Sequence, residues 1–162
     1  MTPDWIIHAC LLAGLSSALV AGVFQSFSDF VMRGLVMATP ASGAQSMQMI
    51  NRTVFRSVFV ILLLGLGPVS LALAAYAYFV LAGAGAMWLI AAAAIYLPFV
   101  ILVTIAGNVP MNERLDRMDH AAEDTVAYWE TYGRVWTRWN HVRTLGSLAA
   151  AICYLMAAMA FA

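Results

Sequence analysis

Three observations on this 162-residue sequence predict an all-α bundle embedded in a membrane. Hydrophobic residues make up 64% of the chain and charged residues 10%, too little charge to cover the surface of a water-soluble domain of this size. Four apolar segments are each long enough for the ~20-residue helix that crosses a hydrocarbon core. No series of short alternating segments separated by turns is present, so a transmembrane barrel is excluded. The predicted fold is a single four-helix transmembrane domain over residues 1–162, an integral membrane bundle whose helices extend on the cytoplasmic side.

The predicted spans cover about 5–27, 57–82, 86–106 and 145–162. The opening MTPDWIIHAC lacks a cationic n-region, so the first run is expected to be a permanent helix and not a signal peptide. Thr39-Pro40 has the form of an N-cap followed by proline at the first helical position. The second helix is therefore expected to begin about four turns before it enters the membrane. LAGAGA, with Gly83 and Gly85, supplies a tight turn between the second and third spans. Pro110 is expected to kink or restart the third helix, because its ring removes a donor and crowds the preceding turn. From about Ala121 the pattern is helical again and runs into the fourth span. Glu113–Arg117 and Glu130–Arg134 stand at i,i+4, where opposite charges support a solvated helix face. Every arginine lies in the first or third connection and none in the second. The positive-inside rule then puts both long connections in the cytoplasm and both termini outside.

Formal net charge is zero and there is no lysine, so no basic face for nucleic acid exists. Cys10 and Cys153 stand alone in apolar runs, which fits small buried hydrophobes better than a disulfide or a zinc site. His8, His120 and His141 are scattered, and the absence of an ExxH pattern leaves a di-iron carboxylate site unsupported. Asp116–His120 fits a surface pair better than a chelate. No glycine-rich phosphate loop is present.

The polar groups concentrate at one depth. On a helical wheel at ~100° per residue, Thr125, Trp129, Tyr132, Trp136, Asn140, Arg143 and Ser147 share one arc, while Arg134, Arg138 and His141 fall on the other side. Gly22, Gln25, Ser26, Asp29 and Arg33 share a face of the first helix. Gln48, Asn51, Arg52, Phe55 and Phe59 share a face of the second, and Thr104, Asn108, Met111 and Asn112 cluster more loosely on the third. An interfacial aromatic belt would account for Trp139, Arg138 and Trp136, and amides can join helices without further purpose. A belt does not account for acids, amides and arginines falling on one face of each helix. Asp29 is costly near hydrocarbon unless paired, and Arg33 is the expected partner. A polar pocket at the cytoplasmic interface is the expectation.

GVFQSFSDFVM (22–32), MQMINR (47–52), NVPMN (108–112) and WETYGRVWTRWNHVRT (129–144) together resemble the anthrone oxygenase-like family of small four-helix membrane proteins. The resemblance covers nearly the whole chain. It implies a membrane-embedded oxidoreductase that oxidises a hydrophobic aromatic, anthrone-like substrate with O2. Such chemistry needs a flat aromatic slot, a base, and donors for a developing oxyanion. The candidate catalytic residues are Asp29 as base with His141 as its runner-up, and Asn51, Asn140 and Arg143 as donors. The candidate substrate-binding residues are Gln25, Gln48, Asn108, Asn112, Trp129, Tyr132 and Trp136. No cofactor is expected, with haem or a metal ion left open; His141 lies near the pocket and His8 at the far end. The expected partners are the lipid bilayer, a hydrophobic small molecule and O2, with homo-oligomerisation open. A haem- or quinone-binding redox protein and a non-catalytic small-molecule-binding subunit are the alternatives.

The arginine distribution predicts a topology test. A C-terminal reporter that is active only in the cytoplasm should stay silent, and one active only outside should be bright; the reverse pattern refutes the orientation.

Overall fold

A computed structural model describes residues 3–162, and helix is the only regular structure among them. Helices follow in chain order: α1 (Asp4–Met37), α2 (Pro40–Val54), α3 (Val58–Val80), α4 (Ala84–Asp116) and α5 (Glu123–Phe161). Helices α1, α3, α4 and α5 are long and apolar enough to cross a membrane. The protein is an integral membrane helical bundle. At ~1.5 Å per residue, α5 with its 39 residues is about 58 Å long, nearly twice the ~30 Å hydrocarbon core. Its Glu123 end therefore projects well beyond the membrane, and α2 packs beside it there.

Helix α5 is the central element, packed against α1 and α4, while α3 packs on α4 and α1. Small residues set these approaches: Ala13, Gly14, Ser17 and Ala21 on α1, and Gly146, Ala150 and Ala157 on α5, are all buried. In lipid, where no hydrophobic force draws helices together, small side chains allow the close packing that does. Val20, Leu89, Tyr96 and Tyr154 fill the core between them. Its tyrosine hydroxyls are satisfied internally. Tyr154 donates to Ser70 Oγ at 2.6 Å, Ser70 donates to the Leu66 carbonyl at 2.5 Å, and Tyr96 donates to the Leu63 carbonyl at 3.0 Å. A hydroxyl left unpaired in such surroundings would cost about 2 kcal/mol or more.

Two helices contain widened, π-helical turns, at Phe27–Val31 in α1 and at Leu97–Leu102 and Thr104–Asn108 in α4. The buried residues of α4 explain them. Tyr96, Val100, Thr104 and Asn108 recur every four residues, and on a regular helix such a row drifts around the axis by about 40° per step. Wider turns remove the drift and keep all four on the buried face. They also accommodate the prolines: Pro98 lies within the first widened stretch and Pro110 directly follows the second. The restart expected at Pro110 is present: regular α-helix resumes at Val109 after the second widened stretch, with Pro110 in its first turn, where its missing N–H costs little.

Other expectations are corrected. The second helix does not run unbroken into the membrane. It ends at Val54, turns through Phe55 and Arg56, and restarts at Val58 with Ser57 Oγ accepting from the Val60 amide. Glu113–Arg117 forms at 3.1 Å. Asp29–Arg33 and Glu130–Arg134 do not appear among the ion pairs of the described residues. Asp116 meets Arg52 of α2 at 2.7 Å, in place of His120.

Packing at α5 predicts a position-dependent response to bulk. A Cβ on Gly146 would lie 2.8 Å from Phe99 Cβ, whereas one on Gly22 would meet nothing within 4 Å. Gly146→Leu should lose about 1–3 kcal/mol and unfold at a clearly lower temperature in detergent, with Gly22→Leu close to wild type. Equal melting temperatures would show that α4 and α5 are not closely packed there.

Candidate functional site

A cavity of about 220 Å³ lies where α1, α3, α4 and α5 meet the end of α2. Phe24, Phe27, Phe59, Leu63 and Trp136 form its apolar wall. Asn51, Thr104, Asn108, Asn112, Asn140 and Arg143 form its polar wall. No histidine, cysteine, aspartate or glutamate lines it.

Arg143 dominates the electrostatics. It is 5% exposed and is the only buried charged side chain among the described residues; the other arginines and all the acids except half-buried Asp116 are exposed. Its Nη2 donates to Asn140 Oδ1 at 2.6 Å, and its Nη1 reaches Thr104 Oγ1 only at 3.5 Å. The guanidinium carbon stands 4.2 Å from the Phe24 ring centroid and 5.4 Å from that of Trp136. Aromatic faces partly compensate a desolvated cation, but no carboxylate faces this one.

The surrounding amides are fixed by bonds between helices. Asn140 Nδ2 donates to the Phe24 carbonyl at 2.7 Å and to Ser28 Oγ at 2.6 Å, tying α5 to α1. The widened turn of α1 contributes here, since Ser28 belongs to it and Phe27, its first residue, packs on Trp136 with ring centroids 5.9 Å apart. Asn108 Nδ2 donates to the Trp136 carbonyl at 3.1 Å. Asn112 Oδ1 accepts from Trp136 Nε1 at 2.8 Å and from Tyr132 at 2.7 Å. Asn51 Nδ2, Asn108 Oδ1 and Arg143 Nε are buried with no partner. Unpaired buried polar atoms are rare in native folds; these three belong to the cavity's polar wall, and Trp129 Nε1 and Ser147 Oγ, away from it, are the other two among the described residues.

The cavity gathers six of the sequence-derived candidates: Asn51, Asn108, Asn112, Trp136, Asn140 and Arg143. Three more lie beside it in a second cluster toward the arginine-bearing end. Trp129 and Tyr132 stack there with centroids 5.5 Å apart, and Tyr132 stacks on Trp136 at 6.1 Å. Gln48 donates to the Leu115 and Met118 carbonyls at 2.8 and 2.9 Å, closing the end of α4. Gln25, Asp29 and His141 are exposed and do not line the cavity. The face of α1 that packs is the row Ser17, Val20, Ala21 and Phe24, so the neighbouring row carrying Gln25 and Asp29 points away. On α2, Arg52 likewise turns outward, while Phe55, in the break after α2, is largely exposed but reaches the cavity's edge. Neither His141 nor His8, whose Nδ1 lies 3.0 Å from the Asp4 carbonyl at the opposite end of α1, lines the cavity. Phe24 and Leu63 were not singled out from sequence, because one apolar residue among many in a membrane span carries no local signal.

Residues 52–153 match the family model described as anthrone oxygenase. The matched region holds Asn108, Asn112, Trp136, Asn140 and Arg143, while Phe24, Phe27 and Asn51 of the cavity lie outside it. No curated protein and no solved structure matches the chain.

Burial of an unpaired guanidinium predicts an unusual stability response. Desolvating an ion costs several kcal/mol, about as much as one charged hydrogen bond and the ring contacts return. Arg143→Met should therefore unfold in detergent no earlier than wild type, and Arg138→Met should also be neutral. A large drop in melting temperature for Arg143→Met alone would make this residue a structural tie.

Proposed function

This chain belongs to the anthrone oxygenase family, and from that premise we propose that its cavity binds a flat, apolar aromatic ketone and oxidises it with O2. The observation that carries this reading is the lone cation: Arg143 is buried among aromatic rings and amides with no acid to neutralise it. Such a site favours a ligand that brings negative charge, or develops it, at one oxygen.

An anthrone has that property. Loss of one methylene proton to water gives an enolate whose charge rests largely on the carbonyl oxygen. Arg143, with the Asn51 amide, would hold that oxygen and favour the ionised form. The ring system would lie along Phe24, Phe27 and Trp136, where stacking and edge contacts suit a planar ligand. The electron-rich carbon then reacts with O2. In the net reaction the methylene carbon loses two hydrogens and gains one oxygen atom, and the second oxygen atom leaves as water. In this reading Asp29 and His141 take no part as bases, and acceleration comes from stabilising the oxyanion. The same contacts would hold a quinone, so a binder without turnover is the competing reading, and oxygen consumption separates the two.

Purified protein in detergent should consume one O2 per molecule of anthraquinone formed from anthrone, above the uncatalysed rate. Arg143→Met should lower turnover by about 10²–10³-fold, the usual effect of removing one oxyanion donor. Asp29→Asn and His141→Ala should stay within about twofold. Full activity in the Arg143 variant, or loss in the other two, would refute this mechanism. Binding of anthraquinone without oxygen uptake would leave a binder.

A further inference from the structure

We propose that ligand enters and leaves this cavity sideways, from the hydrocarbon of the bilayer, through a cleft between α3 and α4. This rests on the reading of the cavity as the binding site, and it adds the route. The polar end of the cavity is enclosed, but its lining also includes Phe55, Leu64 and Ile105. These are 72%, 52% and 59% exposed, so the cavity reaches the outside of the bundle at large apolar side chains.

Packing explains why an opening exists there. Helix α3 packs against α4 along Ala84–Tyr96 and along the first widened stretch, Leu97–Leu102, but diverges from the second, Thr104–Asn108. Leu64 stands on one side of that divergence and Ile105 on the other. Phe55 sits at its interfacial end, in the break between α2 and α3. The surface around the cleft carries exposed Val58, Ile61 and Leu102. Such a surface, on helices apolar enough to span a membrane, faces lipid.

Along the bundle axis both directions are blocked. Toward the arginine-bearing end the cavity is floored by Trp136, Tyr132 and Met47, all buried. Toward the opposite end lie buried Val20, Leu63 and Val100, with Ser17 bonded to the Ser147 carbonyl at 2.8 Å. The occupant that fits this geometry partitions into the membrane with its apolar body, enters edge-on between Leu64 and Ile105, and presents an oxygen to Arg143 last. A charged, water-confined analogue has no comparable path.

The test uses the full-length protein in phosphatidylcholine vesicles, with 9,10-anthraquinone as probe and quenching of tryptophan fluorescence as readout. The double variant Leu64→Phe/Ile105→Phe narrows the mouth at exposed positions where folding is undisturbed. Leu71→Phe/Leu148→Phe adds the same bulk at exposed positions that do not line the cavity. The mouth variant should bind and release the probe at least tenfold more slowly, with Kd within about threefold of wild type, and the control pair should match wild type. Anthraquinone-2-sulfonate, added to the aqueous phase, should associate at least tenfold more slowly than the neutral probe in wild type. Unchanged rates in the mouth variant, equal slowing in the control, or equally fast association of the sulfonate would overturn the route. Absence of any binding to wild type would overturn it as well. Binding with the expected rates but no oxygen uptake with anthrone would leave the route standing and remove the oxygenase reading.

Discussion

A guanidinium held in a membrane bundle without a counter-ion is the constraint on which the site depends. Arg143 could not remain there if its surroundings were only aliphatic. Phe24 and Trp136 present ring faces to it, Asn140 accepts one of its N–H groups, and the amides of Asn51 and Asn108 add dipoles to the same wall. Asn140 and Trp136 are in turn held by other helices. Asn140 is anchored to α1 through the Phe24 carbonyl and Ser28, and Trp136 to α4 through Asn112. The arrangement compensates the cation only partially, and the proposed ligand oxygen would supply the remainder. Three polar atoms of the same wall are left without partners, which suits a site that exchanges its contacts with a bound oxygen.

The widened turns are the backbone counterpart of that constraint. A four-residue row cannot stay on one face of a regular helix, yet Thr104 and Asn108 must both face the cavity, and Tyr96 and Val100 must both face the core. The turns at Leu97–Leu102 and Thr104–Asn108 reconcile the two requirements. They leave α4 diverging from α3 beside the cavity, where the apolar mouth lies. The turn at Phe27–Val31 does the same for Phe27 and Ser28 on α1. Away from these turns the bundle is regular, and it is held by small residues and by the bonded hydroxyls of Ser70, Tyr96 and Tyr154.

The two clusters divide the labour. Trp129 and Tyr132, with Leu115, pack outside the cavity against Met47, which lines it, and Gln48 fastens the end of α4 there. These residues fix where Trp136 and Asn112 stand. The cavity itself is smaller and mostly apolar, with its polar groups on one side. This one-sided polarity is the feature on which the proposed ligand, flat, greasy and polar at one edge, rests.

Composition and periodicity alone determined the four spans, the helical continuation beyond the membrane, and the buried arc of α5. That arc runs from Thr125 through Trp136, Asn140 and Arg143 to Ser147, all buried. It was legible because α5 has no widened turn, and because a long helix with charges on one side and amides on the other has one way to face a bundle. Only the tertiary structure decided which row of α1 and α2 faces inward. A wheel shows that Gln25 and Asp29 share a row, but an equally coherent row of Ser17, Ala21 and Phe24 lies beside it. The choice between them was made by small residues that let α1 approach α5. Local sequence fixes which residues share a face; which face is buried is a property of the neighbour that covers it.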